Sequence, residues 1–79
     1  MEDYDLPTVL LDIFYRGNLE ELKDYKKFKN NVERDGAKVL YIPEEGIIRV
    51  HNDGNLVPRE ILMLADEWAL RMQLRHAYK

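Results

Sequence analysis

Residues 38–51, Lys-Val-Leu-Tyr-Ile-Pro-Glu-Glu-Gly-Ile-Ile-Arg-Val-His, leave this chain the fewest structural options. Both arms are β-branched and aromatic, and Pro43-Glu44-Glu45-Gly46 is suited to a four-residue turn between them. If Ile42 pairs with Ile47, Tyr41 faces Ile48 and Val39 faces Val50. Those four residues then share one apolar face, while Lys38, Leu40, Ile42, Ile47, Arg49 and His51 share a mixed one. A slip of one residue would send Leu40 and Ile47 to the core instead. Two strands alone are marginal in water, so this hairpin needs a covering helix.

The segment from Pro58 to Tyr78 is the expected cover, read as one long helix. At about 100° per residue, Ile61, Leu62, Ala65, Trp68, Ala69 and Met72 form a broad apolar face. Met63, Leu70 and Leu74 form a second, narrower stripe, with Glu67 and Arg71 along its border. One apolar face suffices to dock a helix on its own domain. The second wants another element or another chain. Near-heptad spacing suits a helix-on-helix seam, and an unpaired hairpin edge offers a second route to a dimer by strand addition.

Upstream, Asp5-Leu6-Pro7 has the form of a helix start, with Asp5 as N-cap and Pro7 in the first turn. Val9, Leu10, Leu11, Ile13 and Phe14 make that short helix apolar nearly all round, and Gly17 ends it. Asn18-Leu19-Glu20-Glu21 then has capping-box form and opens a second helix. Leu22, Tyr25, Phe28 and Val32 lie on its inner face, and Arg34-Asp35-Gly36 stops it. The expected architecture is a single α+β domain over residues 1–79, helix-helix-hairpin-helix (ααββα).

The chain has no cysteine, so neither a disulfide nor a thiolate zinc site can brace so small a fold. Its first residues are acidic, unlike a signal peptide, and no apolar run reaches the ~20 residues of a membrane span. A cytoplasmic protein without membrane contact is the expectation. The net charge of −3 argues mildly against general attraction to nucleic acid.

Catalytic parts are scarce. The chain has no serine and one threonine, Thr8, so hydroxyl and thiol nucleophiles are nearly absent. His51 and His76 lack metal-ligand spacing. His51 beside Asn52 and Asp53 reads as a turn in which Asx side chains bond local backbone, and His76 as the polar end of the last helix's main face. Asn52-Asp53-Gly54-Asn55 lacks the spacing and distal glutamate of a calcium loop. Glu44 and Glu45 fall in an exposed turn, and Glu60, Asp66 and Glu67 on a solvated helix surface. The expectation is a non-enzymatic protein with no metal and no cofactor.

Two binding surfaces remain. Met63, Glu67, Leu70, Arg71 and Leu74 compose a candidate partner-binding and homodimer face. Lys23, Lys26, Lys27, Asn30 and Arg34 gather opposite Tyr25, Phe28 and Val32, the layout of a helix presenting bases to phosphate. Acids first and bases last is also the order helix-dipole stabilisation alone selects. The resulting reading is a small protein-binding module, an inhibitor or adaptor of the type phages and mobile elements encode, which occupies a larger macromolecule's surface and self-associates. The alternative is a DNA- or RNA-binding regulator using the basic face of the second helix.

Overall fold

The computed structural model describes residues 7–79. The hairpin forms as its side-chain pattern requires. β2 (Lys38–Ile42) and β3 (Ile47–His51) pair with Ile42 opposite Ile47, Tyr41 opposite Ile48 and Val39 opposite Val50. Val39, Ile48 and Val50 are buried and Tyr41 packs against them.

The segment expected as a first helix is instead a strand, β1 (Leu10–Phe14), antiparallel to β3 with Leu11 opposite Val50 and Ile13 opposite Ile48. A run apolar on every side satisfies a buried helix and a central strand equally well, and periodicity cannot separate them. The expected N-cap, Asp5, lies outside the described residues. By pairing with β3, β1 occupies one of the two hairpin edges that the monomer was expected to leave free, and β2 stays at the edge of the sheet.

The second helix also begins later than expected. Asn18 does cap a turn, its side-chain oxygen accepting from the Glu20 amide at 2.9 Å, but that turn is a 3-10 segment, Leu19–Glu21. The chain then breaks at Asp24, whose φ is +63°, before α1 (Tyr25–Arg34). The break re-aims the chain so that Tyr25, Phe28 and Val32 enter the core together. Gly36 ends α1 in the left-handed region. Its amide donates to Glu33 O and the Ala37 amide to Val32 O, the paired bonds of a Schellman cap.

After β3, the Asp53-Gly54 pair turns with both φ positive, and Asn55 N–H donates to Asn52 O. The last helix, α2, spans Arg59–Arg71, shorter than the expected 58–78. It stops at a second Schellman cap. Gln73, at φ +61°, donates to Leu70 O, and the Leu74 amide donates to Ala69 O at 2.8 Å. Leu74 thereby folds back against the core, the hydrophobic contact that accompanies such caps. The chain continues as β4 (His76–Tyr78), antiparallel to β1.

The order is therefore βαββαβ, not ααββα. The sheet order is β2-β3-β1-β4, with every neighbouring pair antiparallel. This is the split-βαβ arrangement, a superfold that implies no function by itself. Both helices pack on one face of the sheet. Ile61, Leu62, Ala65, Trp68 and Ala69 of α2 join Tyr25, Phe28 and Val32 of α1 over Leu11, Ile13, Val39, Ile48 and Val50. Trp68 stacks on Phe28 at 4.2 Å between ring centroids and 5° between planes, joining the two helices.

Candidate functional site

With both helices on one side, the period-2 geometry of the strands sends the alternate residues to the other. The register arranges that open face in three cross-strand rows. Phe14, Ile47 and Ile42 make an apolar row, and Asp12, Arg49 and Leu40 the next, with Ala77 opposite Asp12 on its other side. Leu10, His51 and Lys38 make the third. Ile47 is buried among its neighbours, but Phe14 is 39% and Leu40 50% exposed. They lie on a sheet face that carries no described helix. Sequence reasoning placed Leu40, Ile42 and Ile47 on a mixed hairpin face but missed Phe14, because β1 was read as helix.

At the centre of this face Asp12 is completely buried. Arg49, directly across on β3, grips it with two parallel bonds, Nε to Oδ1 at 2.8 Å and Nη2 to Oδ2 at 3.0 Å. Lys79 approaches Oδ2 from the β4 side at 3.2 Å. The Arg49 hydrogen bonds, with help from Lys79, hold the Asp12 carboxyl below its ordinary pKa against the opposing effect of burial. Asp12 in turn raises the pKa of Arg49. A carboxylate saturated by two cations is a poor base or nucleophile. This one clamps β3, β1 and β4 in register.

The residues expected to bind a partner separate. On α2, Leu70 is 62% exposed, Glu67 and Arg71 are exposed, and Met63 is half-buried. Leu74 lies beyond the helix end and packs inward, so the continuous near-heptad seam does not form. The alternative set stays together. Lys23 precedes α1, and Lys26, Lys27, Asn30 and Arg34 are exposed along it. None of these four cations is ion-paired with a described residue. Lys27 of this set meets Glu67 and Arg71 of the other at a cleft between α1 and α2, which Asp24, Phe28, Asn31, Leu64 and Trp68 complete.

The histidines have local partners. His51 Nδ1 accepts the Asp53 amide at 3.3 Å, as a turn requires. Lys38, at 2.7 Å, lowers the pKa of Asp53. His76 is not the polar end of a helix but a β4 residue. Its Nε2 lies 2.6 Å from Asp66 Oδ1, which also accepts from the Tyr78 hydroxyl at 2.8 Å. These bonds pin the short edge strand to α2.

Among the described residues no group of three or more His, Asp or Glu could hold a metal ion, and no helix is long and apolar enough to cross a membrane. No protein-family model, curated protein or solved structure matches this chain.

Proposed function

We propose that this chain is a small non-enzymatic protein-binding module that docks a larger protein on the open face of its sheet, as an inhibitor or adaptor. The observation that carries the reading is Phe14 and Leu40, 39% and 50% exposed beside Ile42 and Ile47, on a face without a described helix. Fully burying a Phe or Leu side chain contributes roughly 1.5–3 kcal/mol. The areas still exposed on Phe14, Leu40 and the partly buried Ile42 therefore offer about 1.5–4 kcal/mol gross. Two copies face to face would double that to roughly 3–8 kcal/mol, against an association cost of ~4–15 kcal/mol. Self-association through this patch is weak at best. A partner must bring contacts of its own.

The test compares the wild-type chain with a Phe14→Thr/Leu40→Glu variant, both checked for folding by circular dichroism. Each is used as bait in lysate from the native host, with captured proteins identified by mass spectrometry. The reading expects a partner held by the wild type and lost from the folded variant. Identical capture by both would reject the sheet face.

Lys23, Lys26, Lys27 and Arg34, exposed and not ion-paired with any described residue, favour a second reading, a phosphate-contacting face on α1. Charge reversal of Lys27 and Arg34 to glutamate abolishes such binding without unfolding the chain. Phosphate-driven affinity also falls steeply with salt, whereas apolar docking on the sheet does not. Absence of binding to any duplex or single strand at low salt eliminates it.

A further inference from the structure

The sheet order leaves β2 at one edge, with alternate backbone groups facing away from β3. Which groups these are follows from hydrogen bonds further in. The Tyr15 amide donates to Gly46 O at 2.9 Å, and the Phe14 amide to Arg75 O on the other side of β1. Bonded pairs alternate along an antiparallel ladder. Ile13–Ile48 and Leu11–Val50 are therefore bonded pairs, and Ile47, Arg49 and His51 turn their backbone groups toward β2. Lys38, Leu40 and Ile42 answer them. Val39 and Tyr41 then point N–H and C=O out of the sheet, and no described segment bonds them through its backbone.

These two residues complement themselves. A two-fold axis through Leu40 sets Val39 opposite Tyr41 of a second copy, and Tyr41 opposite its Val39. Only this centring satisfies every outward donor and acceptor of both residues. Centring on Tyr41 sets Val39 against Pro43, which has no N–H. Centring on Val39 sets Tyr41 against Ala37, whose N–H is already given to Val32 O. With the axis at Leu40, that side chain meets its own copy as a non-hydrogen-bonded pair on the open face, where it is 50% exposed.

Charge agrees with the same axis. Glu33 lines the groove beside Lys38, Val39 and Leu40. Lys29 lies four residues before it on α1, which packs on β2, so the two share one row of that helix. Neither is ion-paired with a described residue. The two-fold runs the α1 helices antiparallel and brings Lys29 of each copy toward Glu33 of the other. β2 also lacks the devices that blunt an edge. No bulge interrupts its pairing with β3, and its one charge, Lys38, is held at 2.7 Å by Asp53. We infer that a second copy of this chain adds at β2, joining two four-stranded sheets into one with a continuous open face. This edge-to-edge seam is distinct from face-to-face stacking and does not depend on what the open face docks.

The chain has no cysteine, so single cysteines report the register directly. Leu40→Cys is expected to cross-link to itself under mild oxidation, since its Cα atoms meet at about 4.5 Å. Lys38→Cys faces Ile42 of the second copy, roughly 13 Å along the strand from its own mate, and stays uncross-linked. In sedimentation equilibrium at about 1 mM protein, the wild type exceeds the monomer mass. Leu40→Lys and Leu40→Glu, each folded by circular dichroism, associate less, because like charges then stand opposite each other. Their equimolar mixture regains the dimer, with association at least about fivefold stronger than either alone. Phe14→Thr, on the open face away from the seam, leaves the dimer unchanged. A wild type monomeric at that concentration, equal cross-linking of the two cysteine variants, a mixture without recovery, or a dimer lost with Phe14 would overturn the assignment.

Discussion

Replacing Asp12 by asparagine removes one charge from the centre of the sheet and keeps the shape of the side chain. In the wild type the carboxylate accepts three charge-assisted bonds, at 2.8, 3.0 and 3.2 Å, while fully buried. Bonds of this kind contribute about 1.5–3 kcal/mol each when desolvated. Here the Arg49 side chain is 25% and the Lys79 side chain 53% exposed, so both cations recover solvation when the anion is lost. The new amide also turns N–H donors toward cations that are themselves donors. The expected loss is about 2–3 kcal/mol at pH 7, or roughly 10–20 °C in Tm for a domain of this size. Urea titration followed by the fluorescence of buried Trp68 measures it. The pH dependence is a second signature. Because the folded pKa of Asp12 lies below its ordinary value, held there first by Arg49, the unfolded chain takes up the proton first as pH falls. The stabilisation is complete above about pH 5 and fades as pH drops through the unfolded value near 3.9 toward the lowered folded one. The gap between wild type and variant should therefore close in acid. A loss below about 0.5 kcal/mol at pH 7, or a gap that ignores pH, would refute the clamp.

Leu70→Glu should leave the fold intact, with less than about 0.5 kcal/mol lost by circular dichroism melting, because the side chain is 62% exposed; unfolding would place that residue in the core. Gln73→Gly should stabilise the chain by about 0.5–1 kcal/mol, since φ of +61° at the α2 cap suits glycine better, and thermal melts will show the sign. Asp66→Ala removes the acceptor of both His76 and Tyr78, costing about 1–2 kcal/mol and speeding hydrogen exchange in the β1–β4 ladder. Leu62→Ala, at a position 1% exposed, should cost about 2–5 kcal/mol in denaturant titration.

The candidate surfaces were legible to different degrees. The exposed bases of α1 follow from helical spacing alone and stand where that spacing puts them. The α2 stripe was half legible: Leu70 is exposed, but Leu74 leaves with the cap at Gln73. A glutamine in the left-handed position carries little of the signal that a glycine would. The Asp12–Arg49–Lys79 clamp was invisible, because its members come from β1, from β3 and from the residue that follows β4, which no local pattern joins.

Sequence alone determined the elements whose pattern has one period and a clear stop. The alternation from Lys38 to His51 set the hairpin register, and the apolar face from Ile61 to Ala69 set the side of α2 that is buried. Gly36 marked the end of α1. Tertiary structure decided the segments whose neighbours are distant in the chain. Leu10–Phe14 becomes a strand because β3 and β4 flank it, and an apolar run with no polar side carries no period to reveal that beforehand. His76–Tyr78 leaves the helical pattern because the free edge of β1 offers its backbone hydrogen bonds and Asp66 holds its side chains. Strand pairing is non-local, so these two segments were settled only when the sheet closed around β1.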